Sequence, residues 1–297
     1  MNNFLQLCFS GVATGSRLAL VALGFVIIYR ATGVINFAQG GLLALGAYLT
    51  YAFVRAGIPF ALCVLLAMLS CAAVGASTER IVLRRMVGQP VFAVIMITIG
   101  LLFFLRVVTS TIWGPDSLNL DDPWGIKTVK AGGVVLGVAD LWTIGLAAAA
   151  LAAFFVFFRY SKLGLAMRAT ALDQEVALAQ GISVRRVFAV SWAISAALAT
   201  LAGVTLASGA AALSPGIGDI ALIAFPAMIV GGLDSPLGAV VGGLVIGVVQ
   251  ALTAGYQDNV IPWAGSNFQA VMPYVVMILI LLVRPFGLFG TREVSRV

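Results

Sequence analysis

Apolar residues fall in long runs along this chain, at about 8–29, 37–54, 60–78, 91–112, 141–158, 187–208, 219–233, 237–255 and 269–283, with shorter polar stretches between them. Runs of this kind predict helices that cross a bilayer, whose hydrocarbon core takes roughly 20 apolar residues per span. The chain therefore reads as an all-α, polytopic transmembrane helical bundle of about eight to nine spans, one domain over residues 1–297. Two runs are short and broken. The run at 37–54 starts with Gly40-Gly41, and the run at 219–233 contains Pro226 and is followed by Gly231-Gly232-Leu233-Asp234-Ser235-Pro236. Discontinuous helices are expected near 33–41 and 226–238, of the sort that place backbone ends inside a membrane protein.

Composition supports the lipid-facing reading. Apolar residues make up 62% of the chain and charged ones 9%, with a mean hydropathy of +1.10. Soluble chains are nearer half apolar and a quarter charged. Small residues recur inside the runs, as in Gly238-x-x-x-Gly242 and Gly243-x-x-x-Gly247, a pattern that lets helices approach closely in lipid. Met1–Gln6 carries no basic residue before the first run, so that run is expected to be a retained anchor rather than a cleaved leader.

The net charge of +6 is distributed so as to report orientation. Arg80, Arg84 and Arg85 lie in 79–90; Arg159, Lys162, Arg168, Arg185 and Arg186 in 159–186; Arg284, Arg292 and Arg296 in the tail. The 113–140 connection has four aspartates against Lys127 and Lys130. The positive-inside rule puts the basic segments and the C-terminus in the cytoplasm, with 113–140 and 255–268 outside. A nine-span count leaves the N-terminus outside.

Several chemistries find no support. The chain has no histidine, which removes the commonest general base, metal ligand and proton relay. Cys8, Cys63 and Cys71 sit in apolar runs without metal-ligand spacing and read as small hydrophobes. No nucleophile–base constellation stands out, and there is no Gly-x-x-x-x-Gly-Lys-Ser/Thr phosphate loop. The chain is not expected to be an enzyme or to hold a cofactor or metal. Any ATP hydrolysis falls to partner proteins.

Polar residues within the runs are the candidates for a permeation path. Asn36 and Gln39 open an apolar run, where an unpaired amide facing lipid is costly. Gly40 and Gly41 beside them expose helix N-terminal amides, which suit an anionic group such as a carboxylate. Helix breaking and capping alone would explain the same residues. Arg17, mid-run, pairs either a substrate carboxylate or a partner within the protein; Arg106 lies near enough to its helix end to snorkel.

The segment 159–186 points out of the membrane. Leu165, Ala169, Leu172, Val176 and Ala179 recur at steps of four and three, which predicts one helix of about four turns with an apolar stripe. Gly181 stands at its C-terminal glycine position. Such a helix either lies at the membrane interface or enters a groove on a cytoplasmic partner.

Three motifs carry a resemblance. Gly164-Leu-Ala-Met-Arg168-Ala169 with Ala177 and Gly181-Ile182, Gly33-Val-Ile-Asn36-Phe-Ala-Gln39-Gly40-Gly41 with Gly46-Ala47-Tyr48, and Val230-Gly231-Gly232-Leu233-Asp234-Ser235-Pro236-Leu237-Gly238-Ala239 resemble the bacterial branched-chain amino acid importer permeases of the LivH type. The likeness runs over essentially the whole chain. It implies the permease subunit of an ATP-binding cassette importer in the bacterial inner membrane, for branched-chain amino acids or related small solutes. The implied partners are a second homologous permease chain, two ATP-binding subunits that hold ATP and magnesium, and an external solute-binding protein. It further implies that Gly164, Arg168, Ala169, Glu175 and Gly181 belong to the loop that couples to the ATPase, and that Asn36, Gln39, Gly40 and Gly41 line the path. A stand-alone secondary transporter or channel for a small polar solute is the alternative. The absence of a clear mid-span carboxylate counts against ion-coupled transport.

Overall fold

The computed structural model describes residues 2–86, 89–131, 134–209, 211–260 and 267–291. Each apolar run becomes a helix: α1 (Asn2–Thr32), α2 (Gln39–Arg55), α3 (Phe60–Ile81), α4 (Val91–Trp113), α5 (Val138–Tyr160), α8 (Val184–Ala207), α9 (Ile220–Gly231), α10 (Pro236–Val260) and α11 (Phe268–Val283). Short helices α6 (Lys162–Leu172) and α7 (Gln174–Ala179) join α5 to α8, and 3₁₀ turns at Leu83–Met86 and Pro215–Asp219 lead into α4 and α9. Among the described residues, six helices (α1, α3, α4, α5, α8 and α10) are long and apolar enough to cross a membrane. Helices α2, α9 and α11 have 17, 12 and 16 residues and fall short of a standard span.

Two expectations need correction. The bundle is not purely helical, because the 113–140 connection carries a small antiparallel sheet, β1 (Thr128–Ala131) with β2 (Val134–Gly137), in register Thr128↔Gly137. Thr128, Val129, Val134 and Val135 supply the β-branched residues that favour a pleated strand. The second correction is the segment 159–186, which forms two helices rather than one. Asp173 adopts φ −159°, ψ 116°, and its carboxylate accepts from the Glu175 and Val176 amides at 2.8 and 3.0 Å. An N-capping aspartate in that conformation starts a new helix.

Backbone contacts at small residues hold the centre together. Helix α1 is largely buried and runs against α10, α8 and α9. On α10, Gly243 and Gly247 face Ala19 and Gly15 of α1, while Gly238 and Gly242 face Gly231 and Ala227 of α9. Lipid offers no hydrophobic drive between helices, so close packing of this kind must carry the association. Outer helices α3, α4 and α5 expose large apolar side chains, among them Leu69, Phe92, Phe104 and Val156, as a lipid-facing surface requires.

The bundle has two distinct ends. At one, Leu118 and Leu213 exchange backbone hydrogen bonds of 2.8 and 2.9 Å, and Asp122 accepts from the Gly209 amide at 3.0 Å, which ties the 113–140 connection to the end of α8. At the other end lie the C-terminus of α1, the 82–90 connection, α6 and α7, and the 232–235 break, all lining the two cavities described below. The described basic residues of the three basic segments cluster toward this second end. Arg292 and Arg296 lie outside the described residues.

Candidate functional site

The break between α1 and α2 is built from the residues the sequence singles out. Gly33, at φ +73°, ends α1 in a left-handed conformation that favours glycine. Asn36 then accepts from the Ala38 amide through Oδ1 at 3.0 Å, and the Phe37 amide donates to Thr98 Oγ1 on α4 at 3.2 Å. These contacts satisfy the Phe37 and Ala38 backbone donors just before α2. Asn36 is 1% exposed, and its Nδ2 has no hydrogen-bond partner.

Gln39 and the glycines serve packing. The Gln39 amide nitrogen donates to the Ser195 carbonyl at 3.2 Å, and the Ser195 hydroxyl lies 2.8 Å from both Gln39 Oε1 and the Gly24 carbonyl. One buried amide thus joins α1, α2 and α8, and any side chain at Gly24 would collide with it. A Cβ on Gly40 would meet the Gly218 carbonyl at the foot of α9, and one on Gly41 would meet Leu105. The two interrupted helices therefore abut directly. Next to them Arg106 pairs with Asp219 at 3.1 Å.

Arg17 stands apart from this cluster. Its Nη2 lies 2.8 Å from Asp140 at the start of α5 and 3.5 Å from Thr143 Oγ1. The pair is part-buried, so removing one partner strands a charge. Arg17→Met is expected to lower stability by roughly 1–3 kcal/mol. In the Arg17→Met/Asp140→Asn double variant the loss should be smaller than the sum of the two single losses. Thermal unfolding in detergent checks this, and additive losses would show that the pair contributes nothing.

Two cavities open near the α1–α2 break. A large one of about 1360 Å³ is lined by Arg30, Arg159, Arg168, Asp173, Asp234 and other residues from α1, α5, α6 and the 232–235 break. The Arg30 and Arg168 guanidiniums both lie over the Phe158 ring, at 5.7 and 5.4 Å. Asp234 accepts from the Thr291 amide at 3.1 Å and from its hydroxyl. A smaller cavity of about 200 Å³ is lined by Asn36, Glu79, Thr98, Gln174 and Trp192 with apolar neighbours. Gln174 lines both cavities, and its Nε2 donates to the Ala31 carbonyl at 3.2 Å.

Glu79, Thr98, Gln174 and Trp192 are not among the residues read from the sequence as a site. Glu79 is 2% exposed and paired with Arg84 at 2.9 Å. A signal for it was present. Cys63, Ala67, Cys71 and Gly75 form an i, i+4 stripe of small residues, all buried, and Glu79 is the next step. It belongs to the buried face of α3, which runs on to Ile81, rather than to a polar loop.

The connecting segment is organised by local capping. Ser161 accepts from the Gly164 amide at 2.8 Å, and a Cβ on Gly164 would strike the Phe157 and Phe158 carbonyls. Arg168 turns back on α5 and donates to the Phe158 and Arg159 carbonyls, so it anchors the segment rather than projecting from it. Ala169 is half-buried beside it. Gly181, at φ +78°, closes α7 with hydrogen bonds Gly181→Leu178 and Ile182→Ala177, a Schellman end. The buried face is Gly164, Met167, Thr170 and Ala177. Leu165, Leu172 (84% exposed), Val176 and the acidic Glu175 point outward.

Interrupted helices, small-residue packing and a lipid-type surface define a polytopic helical membrane protein. Residues 7–281 match the family described as branched-chain amino acid transport system, permease component. The chain is 32% identical to the high-affinity branched-chain amino acid transport system permease proteins LivH of Salmonella typhimurium and Escherichia coli, over 99% of this chain and 98% of each relative. It is 30% identical to BraD of Pseudomonas aeruginosa over the same shares. This chain belongs to the branched-chain amino acid transport permease family. In solved structures, PsaBC from Streptococcus pneumoniae in complex with Fab shares the fold, with a TM-score of 0.51 and 15% identity over 96% of this chain and 94% of that one.

Proposed function

We propose that this chain is the membrane-spanning permease subunit of an ATP-binding cassette importer for branched-chain amino acids or related small solutes. The observation that carries the reading is the outward-facing stripe of α6 and α7. Leu165, Leu172 and Val176 are exposed at the end of the bundle richest in arginine, on a segment fixed to α5 by Ser161 and Arg168. An apolar stripe presented on a short, well-capped helix suits insertion into a groove of a partner. The partners in this reading are two ATP-binding subunits, a second homologous permease chain and an external solute-binding protein. ATP and magnesium belong to the ATP-binding subunits.

The basic end faces the cytoplasm in this reading, following the positive-inside rule. Chain direction then gives nine traverses, with α2 and α9 starting partway through the membrane at the Gly40–Gly218 contact, the N-terminus outside and the C-terminus inside the cytoplasmic membrane. The path is expected to run beside the α1–α2 break, where Asn36 meets a cavity.

Purification of the tagged chain in mild detergent, with mass spectrometry of what accompanies it, tests the assembly. Recovery of subunits carrying a Gly-x-x-x-x-Gly-Lys-Ser/Thr loop together with a second permease is the expected result. A chain that emerges alone and transports by itself after reconstitution would support a stand-alone carrier, and α6–α7 would then be an interfacial helix pair.

A further inference from the structure

We infer that the smaller cavity is a binding site for an aliphatic amino-acid zwitterion, held within a single permease chain. This rests on the importer reading above and names a place where its substrate stops. Three features of the cavity carry it.

The first is a pair of stranded donors. Asn36 Nδ2 and Trp192 Nε1 both belong to residues at most 1% exposed that line the cavity, and neither has a hydrogen-bond partner. Buried donors are normally satisfied, because leaving one unmade costs the full desolvation of that group. Their neighbours hold the two residues in place. The other end of the Asn36 amide is taken by the Ala38 N–H, and the Phe37 N–H by Thr98. Trp192 is fixed by α3, where Gly75 sits against its carbonyl. Asn36 just before α2 and Trp192 on α8 bring two N–H donors to one cavity, and a carboxylate, with two oxygens to accept, suits such a pair.

The second feature is Glu79, a buried carboxylate on the same cavity. Arg84 donates to its two oxygens at 3.4 and 2.9 Å. A carboxylate has about four acceptor sites, so capacity remains for an ammonium group. Donors for one charge and an acceptor for the other match a zwitterion.

The third is size and lining. Ile28, Ile35, Val94 and Leu83 add an apolar wall. A volume of about 200 Å³ equals roughly six or seven waters at about 30 Å³ each. That accommodates a mid-sized aliphatic amino acid. Gln174 of α7, whose Nε2 donates to the Ala31 carbonyl, lines this cavity and the larger one beside it.

Equilibrium binding of radiolabelled L-leucine to the purified full-length chain in lipid nanodiscs tests this, with L-leucinol and isocaproate as competitors lacking the carboxylate and the ammonium. Saturable binding is expected, with both competitors much weaker than leucine. Trp192→Phe keeps the bulk and removes the donor, and should weaken binding about tenfold or more. Glu79→Gln should weaken leucine and narrow its advantage over isocaproate. Trp192→Phe is readable on its own if Glu79→Gln fails to fold by gel filtration. Absence of saturable binding, or binding unchanged in Trp192→Phe, would overturn the site. ATP-driven leucine uptake by the assembled transporter, alongside no binding to this chain, would remove the site and leave the importer reading standing. Binding without any ATP-driven uptake would do the reverse.

Discussion

Gly247→Val is expected to abolish recovery of the folded chain. A Cβ at this position would meet the backbone of Gly15 and Gly11 on α1. Where flexible side chains surround an added group, overpacking costs about 1–3 kcal/mol. Here the obstruction is backbone on the most buried helix, which cannot step aside without separating α1 from α10. The cost should therefore reach or exceed about 3 kcal/mol, a large part of the roughly 5–15 kcal/mol by which proteins are stable. Gly100→Ala on α4 is the contrast: nothing lies within 4 Å of the added carbon. Alanine favours a helix interior over glycine by about 1 kcal/mol, so this variant should be at least as stable as the parent. Gel-filtration yield and the thermal midpoint of the two variants check the pair. Equal behaviour would mean that close backbone approach does not hold the bundle together.

The second large effect concerns coupling rather than folding. Leu172→Asp with Val176→Asp should reduce ATP-driven uptake by more than tenfold while leaving yield and thermal midpoint near those of the parent. Both side chains are exposed and touch little of the chain's own core, so the fold loses almost nothing. A partner groove would lose two apolar anchors and face two carboxylates. Removing central anchors from an interface typically costs roughly 2 kcal/mol or more, which is above tenfold in affinity. Uptake at the parental rate would take α6 and α7 out of the coupling role. Arg168 is a poorer probe, because its guanidinium caps the end of α5 and its loss would disturb the segment itself.

The helices were legible in the sequence because lipid imposes length and composition on each element. Runs predicted at 60–78, 91–112 and 269–283 are within three residues of α3, α4 and α11 at both ends. The breaks at Gly33 and at 232–235 were legible too, since glycine and proline disrupt helical pattern by their own stereochemistry, but Pro226, read as part of a break, lies inside α9. Fine structure was harder. Asp173 sits between two stretches of a continuous stripe, and periodicity alone joins what its capping carboxylate separates. The side chains that face a cavity were hardest of all. Asn36 and Gln39 look alike in sequence, yet Gln39 is consumed by Ser195 and the notch at Gly24, whereas the Asn36 amide nitrogen is left free. Arg17 finds Asp140, 123 positions away; only the folded arrangement of α1 against α5 reveals that pair.

Under the proposed function, this chain forms the path of an importer driven by ATP hydrolysis on other subunits. Reconstitution into proteoliposomes with its ATP-binding, permease and solute-binding partners, followed by uptake of labelled L-leucine, tests it most directly. Uptake is expected to require ATP on the side of the basic end and to stop when any partner is omitted. Leucine uptake by this chain alone, indifferent to ATP, would contradict it.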